Sequence, residues 1–208
     1  MLVVLKSKEL SSIIYHDIIF VNKINGKKRK EKMETDDKVF RYKMVLFGSA
    51  GVGKTSLVER YVNDKFQENY ISTLGYNVYE KWISHNGNAV SLMIYDIGGQ
   101  ERFAELRKKY AQGASTAFIV YDITDEESFA NVKNWKEDLF NFAGEVPFII
   151  IGNKKDLEEA RQVPTELAMK GAMELDALHF FETSAKTGDG VEEAFRQLAI
   201  KTYEIRVV

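Results

Sequence analysis

Residues 48 to 56 read GSAGVGKTS, and Gly48, Gly53, Lys54 and Thr55 fill the spacing G-x-x-x-x-G-K-[ST]. The chemistry open to such a loop is the grip of a polyphosphate. Its glycines let the backbone N–H groups of Ser49, Ala50, Gly51, Val52 and Gly53 turn inward, and those of Lys54, Thr55 and Ser56 open the following helix with its positive end. The Lys54 ammonium neutralises β and γ oxygens, and the Thr55 hydroxyl is a ligand for Mg²⁺. By itself the loop suits kinases, ATPases and GTPases equally.

A second stretch, IIIGNKKDL at residues 149 to 157, speaks to the base. Asp156 can accept two hydrogen bonds from the N1–H and N2 amino edge of guanine, whereas adenine turns a lone pair towards it and lacks the N2 donor. Sites built this way discriminate by roughly 10⁴ to 10⁵. Asn153 is expected to tie this loop to the phosphate loop, and the stem of Lys154 to pack along the base plane.

A device that reads the third phosphate needs groups that touch it and let go when it leaves. Thr73 offers its hydroxyl to the metal and its N–H to the γ-phosphate, and Asp96 at the end of a strand is a further metal ligand, through water. Gly99 has no side chain to keep its N–H from the phosphate, and Gln100 can orient an attacking water. The catalytic set is therefore Gln100, Lys54 and Thr73, and the metal set Thr55, Thr73 and Asp96. No arginine lies between Phe66 and Thr73, so no cationic finger is expected there in cis; Arg102 is a candidate substitute that more plausibly points to solvent or pairs with an acid.

Positioning these groups takes an alternation of short apolar runs with helical stretches: KMVLFG then 54–63, SLMIYD then 102–112, TAFIVYD then 126–142, PFIIIGN then 164–175, LHFFETS then 191–203. The pattern predicts an α/β fold, a P-loop NTPase three-layer α/β/α sandwich with a six-stranded, mostly parallel sheet, one antiparallel strand and five helices. The antiparallel strand follows from VYEKWIS and AVSLMIYD, separated only by HNGN with its Asn86-Gly87 hairpin signal. The domain is placed at 40–206. Residues 1–39 are an N-terminal extension, read as disordered or as a leader ahead of a true start at Met33, with an interfacial helix plus the basic run GKKRKEK as the sharper alternative.

A chain of 208 residues with 45% hydrophobic content suits one globular domain, and a net charge of -2 gives no global pull towards nucleic acid. There is no cysteine, which leaves no disulfide or thiolate zinc site. No apolar run is long enough to span a membrane.

Taken in order, GSAGVGKTS, Thr73 in YISTLG, DIGGQERF, GNKKD and TSAK at 183–186 resemble the Ras-like small GTPases over roughly residues 40 to 206. Stretches such as VYDITDEESFANVKNW and FFETSAKTGDGVEEAF bring the Rab branch nearest. The resemblance implies GTP and GDP with Mg²⁺ as ligands and slow hydrolysis in a switch for trafficking or signalling. It also implies backbone N–H groups of Ser184 and Ala185 on the guanine O6, Lys186 packed nearby and Phe66 over the base edge, with Tyr70 counted among the nucleotide-binding residues. Effector proteins, a GTPase-activating protein and an exchange factor are the implied partners of a monomer that binds no nucleic acid.

Four features depart from the Rab pattern. Ile97-Gly98 makes DIGGQ, closer to the Arf and Gα lineages, and the extra glycine is expected to loosen the segment. Tyr76, Asn77 and Val78 replace much of the effector signature, and Ala50 stands where a methyl can hinder an incoming arginine. The tail KTYEIRVV carries no cysteine, so the expectation is a cytoplasmic protein without prenyl, palmitoyl or myristoyl anchor, brought to any membrane by a partner or by residues 1–32. Two competing readings stand beside the switch: a P-loop kinase or motor ATPase, and a nucleotide-binding scaffold that does not turn over.

Overall fold

The computed structural model describes residues 38–68 and 73–207. Its six strands are β1 (Val39–Phe47), β2 (Tyr76–His85), β3 (Asn88–Ile97), β4 (Thr116–Asp122), β5 (Phe148–Asn153) and β6 (His179–Glu182). They lie in the order β2-β3-β1-β4-β5-β6, all parallel except β2, which pairs antiparallel with β3 from Tyr76↔Ile97 to His85↔Asn88. The Asn86-Gly87 turn has φ of 50° and 71°, the pair of positive values that a tight hairpin needs.

Side-chain alternation on the central strands explains the layers. Met44 and Leu46 of β1 face one core, with Phe118, Val120, Ile149 and Ile151; Val45 and Phe47 face the other, with Ile119, Tyr121, Phe148 and Ile150. Strands buried on both faces read as continuous apolar runs, which is why TAFIVYD and PFIIIGN lack alternation. Helices α1 (Lys54–Asn63) and α6 (Val191–Val207) close the first core through Leu57, Val58, Phe195 and Leu198. Helices α2 (Ala104–Ala111), α3 (Glu126–Ala130), α4 (Val132–Ala143) and α5 (Thr165–Glu174) lie along the chain between them, and α2, α4 and α5 close the second through Ala111, Leu139 and Ala168.

The described residues therefore hold six α-helices where the sequence reading expected five. The stretch 126–142 is divided at Asn131, which keeps right-handed backbone angles (φ −77°, ψ −7°) and stands as the C-cap of α3 and the N-cap of α4. Asp125 caps the first piece by accepting from the Ser128 N–H at 3.1 Å. The expected helix from Arg102 starts later, after one 3-10 turn at Glu101–Phe103. Strand β1 also begins earlier than its apolar core, because the largely exposed Val39 to Arg41 and the buried Tyr42 pair with Ala89 to Leu92. The readings made for residues 1–37 fall outside the described residues.

Candidate active site

Order reverses around β1, which has β3 on one side and β4 on the other, and ligands of open α/β sheets bind beyond the strand ends at such a point. The loop after β1 enters with Gly48 at φ 139°, pressed so closely on the Val120 carbonyl that a Cβ could not fit. It leaves through Gly53 at φ 98°, against the Asn153 side chain. Gly53 caps α1 without any side-chain hydrogen bond, so the first-turn N–H groups of Lys54, Thr55 and Ser56 are offered to the loop's interior. Ala50 and Gly51 are exposed at its tip, and Val52 is buried.

Lys54 is 6% exposed and donates to the carbonyls of Gly48 (2.7 Å) and Ser49 (2.8 Å). Burial pulls its ammonium down to about 8, against the raising pull of Asp96. A polar pocket here is lined by Lys54 together with Gly51, Gly53, Thr55, Thr73, Gly98 and Gly99.

Three oxygen groups, from α1, from the segment ahead of β2 and from β3, meet at its edge. The Thr55 hydroxyl donates to Asp96 Oδ2 at 2.7 Å and lies 2.7 Å from the Thr73 hydroxyl, which must then be the donor between them. Asp96 is fully buried, desolvation pushes its carboxyl upward, and its Oδ1 has no hydrogen-bond partner among the described residues. Hard oxygens around an unsatisfied buried carboxylate oxygen are a donor set that fits Mg²⁺.

Gly99 closes the pocket from the β3 side: a Cβ there would meet Lys54 Nζ at 2.5 Å and the Gly48 carbonyl at 2.7 Å. Gly98, the extra glycine of DIGGQ, is packed between two segments. It is buried, its N–H donates to the Gly75 carbonyl at 3.0 Å, and a Cβ would meet the Thr73 carbonyl at 2.8 Å. Its lack of a side chain serves close approach of two segments of the chain. Gln100 follows, half-buried, with its carbonyl held by Arg107 Nη1 at 2.7 Å. Arg102 is exposed and lies over the Phe103 ring, 4.8 Å from its centroid.

On the other flank, Asn153 joins three loops. Its Nδ2 donates to the Val52 carbonyl at 2.9 Å, and its Oδ1 accepts from Thr183 Oγ1 and the Ala185 N–H, both at 3.2 Å. Asp156 is exposed and accepts from Ser184 Oγ at 2.6 Å, while the Ser184 N–H donates to the Asp189 carbonyl. Both backbone donors of the 184–185 pair are thus engaged within the protein. The Lys154 ammonium pairs with the buried Asp122 carboxylate, and Lys186 with Glu68 at 3.5 Å. Phe66 is half-buried against the first core, and Tyr70 lies outside the described residues.

Three residues here escaped the sequence reading. Asp122 is the last residue of β4 as Asp96 is the last but one of β3, a parallel that was available as a signal. Arg60 donates to the carbonyls of Ala185 (2.9 Å) and Lys186 (2.7 Å) from α1, across 125 and 126 residues of chain, and nothing local announces it. Arg107 is 2% exposed beneath Gly98 and Gln100.

A glycine-bounded loop between a central parallel strand and a helix, with a buried lysine and a strand-end aspartate beside it, defines a P-loop nucleotide-binding α/β protein. The chain belongs to the Ras family, whose family model matches residues 43–204. It is 42% identical over 159 residues to Ras-related protein Rab-13 of Canis lupus familiaris, covering 76% of this chain and 78% of that one. Ras-related protein RABD2b of Arabidopsis thaliana is 41% identical over 166 residues (78% and 82% covered), and Ras-related protein Rab-9A of Rattus norvegicus 37% over 161 (75% and 80%). With this membership the chain is a Ras-like, Rab-like GTP-binding protein and a GTP hydrolase. Among the described residues no helix is long and apolar enough to cross a membrane.

Proposed function

We propose that the protein is a timekeeping switch, GTP-bound while Thr73 and Gly99 clasp the γ-phosphate and relaxed once it has gone, acting in trafficking or signalling through effectors that recognise the clasped form. The observation that carries this reading is the meeting of Thr55, Thr73 and Asp96 at one edge of the pocket that Lys54 and Gly99 close. Side chains from three segments are joined there through groups suited to metal and phosphate, so departure of the third phosphate removes a shared anchor.

Thr55, Thr73 and Asp96 are the residues that would hold Mg²⁺, which supplies charge neutralisation at the β and γ oxygens when bound. Lys54 exchanges its two carbonyl partners for phosphate oxygens, the loop N–H groups of Ser49 to Ser56 orient the chain of phosphates, and Gln100 places the attacking water. Asp156 reads the guanine edge, Ala185 turns its long 3.2 Å hydrogen bond towards the base, and Lys154 and Lys186 flank it.

Hydrolysis by this set is slow, and a partner that supplies an arginine raises it by about 10³ to 10⁵. An exchange factor and effectors complete the cycle of a cytoplasmic protein that meets membranes at their surface. The test is single-turnover GTP hydrolysis by the full chain with Mg²⁺ beside its Gln100→Leu variant. A slow rate that the substitution abolishes supports the switch; a rate that the substitution leaves unchanged, or no GTP binding, overturns it, and GTP binding with no turnover in either protein leaves the scaffold reading.

A further inference from the structure

Arg107 lies on α2 among exposed neighbours, yet it is 2% exposed. Its Nη1 donates to the Gln100 carbonyl at 2.7 Å and the Gly98 carbonyl at 3.2 Å, spanning Gly99. Its guanidinium lies 5.0 Å from the centroid of the Trp135 ring on α4, and Trp135 Nε1 donates to Ser49 Oγ at 3.3 Å. A continuous path therefore runs from the phosphate loop through Trp135 and Arg107 to the two residues on either side of Gly99.

The charge is held at a cost. Glu101, the ion-pair partner, is 4.0 Å away with a side chain that is 96% exposed, and Arg107 Nε is buried without a hydrogen-bond partner among the described residues. Burial pulls the guanidinium down and outweighs the raising pull of Glu101 and Asp138. A leucine or methionine would pack this face of α2 without that desolvation. What an apolar side chain cannot do is hold two carbonyls from one side while Gly99 faces Lys54 and Gly48 on the other.

We infer that Arg107 is a positioning residue for GTP hydrolysis, supplied in cis: it fixes the Gly98 to Gln100 backbone so that Gln100 is directed at the phosphate site, with Trp135 as its platform on the phosphate loop. The inference rests on the GTPase switch reading above. Arg107 acts through Gln100 and is distinct from any arginine brought by a partner.

The test is a double-substitution cycle on the full chain, comparing wild type, Arg107→Lys, Gln100→Leu and the double variant in single-turnover GTP hydrolysis, with affinity for a fluorescent GDP measured in parallel. Lysine keeps the charge but loses the fork and the stacking plane. The expected result is hydrolysis slower by about 10- to 100-fold in Arg107→Lys, GDP affinity unchanged, and no additional loss when Arg107→Lys is added to Gln100→Leu. Arg107→Met serves as a second variant that keeps the packing but strands the two carbonyls: it should still hydrolyse slowly at a temperature where circular dichroism shows it folded. Wild-type rates in both Arg107 variants, a parallel fall of hydrolysis and GDP affinity, or the same fold-loss in the Gln100→Leu background would each overturn the inference while leaving the switch intact. A Gln100→Leu variant that hydrolyses like wild type would overturn both.

Discussion

The hydroxyls of Thr55 and Thr73 lie 2.7 Å apart across 18 residues of chain, one at the first turn of α1 and the other ahead of β2. Only Thr55 also reaches Asp96 directly. The two threonines should therefore fail differently. Thr55→Ala is expected to weaken Mg²⁺-dependent GDP binding by about tenfold or more, so that GDP release in Mg²⁺ approaches release in a chelator. Thr73→Ala should leave GDP release nearly unchanged and speed release of a GTP analogue. Stopped-flow release of fluorescent nucleotides distinguishes the two patterns, and identical behaviour would contradict a γ-phosphate role for Thr73.

Asn153 is 1% exposed and serves Val52, Thr183 and Ala185 at once. Asn153→Ala strands those buried groups, at a cost of roughly 3 kcal/mol of stability. Urea unfolding should show the loss with and without GDP, because the bonds to Val52 and Thr183 are made within the protein whether or not the base is bound. A loss seen only with GDP bound would mean that Asn153 matters through the ligand alone.

Lys54 contributes a stability term of the opposite sign. Its folded value of about 8 lies below the roughly 10.4 of an exposed lysine, so between those pH values the unfolded chain binds more protons and stability rises with pH. Below pH 8 the full burden is present, on the order of 3 kcal/mol, partly offset by the two carbonyl bonds. Lys54→Met should thus gain more stability at pH 7 than at pH 10 while losing triphosphate binding. Paired urea titrations check it; a gain that is larger at pH 10 would reverse the sign and refute the argument.

Arg60 clamps the loop of Ala185 and Lys186 from α1. Hydrogen bonds from a charged donor are worth about 1.5 to 3 kcal/mol, so Arg60→Ala should release GDP roughly tenfold faster or more. Dissociation of labelled GDP measures this directly. An unchanged rate would show that the loop keeps its shape without the clamp.

The comparison of sequence with structure divides by the range of the forces. Gly48, Gly53, Lys54 and Thr55 are legible because a phosphate loop is built from consecutive backbone, and the Asn86-Gly87 hairpin because two positive φ values are a local demand. The alternating apolar runs identified the parallel sheet for the same reason. The break at Asn131 was not legible, since residues on both sides of it are acceptable in a helix and Asn131 itself keeps right-handed backbone angles.

What the amino-acid sequence determined by itself, then, was the phosphate loop, the order of strands and helices along the chain, and the residue types available for metal, base and water. What only the tertiary structure decided was their company: that Arg107 is buried under Gly98 and Gln100 instead of joining the exposed charges of α2, that Gly98 is a point of close approach, and that Arg60 reaches the carbonyls of Ala185 and Lys186. Those contacts join residues brought together by sheet order and helix packing, and a carbonyl presents the same acceptor whatever its side chain, so no residue type along the chain marks them in advance.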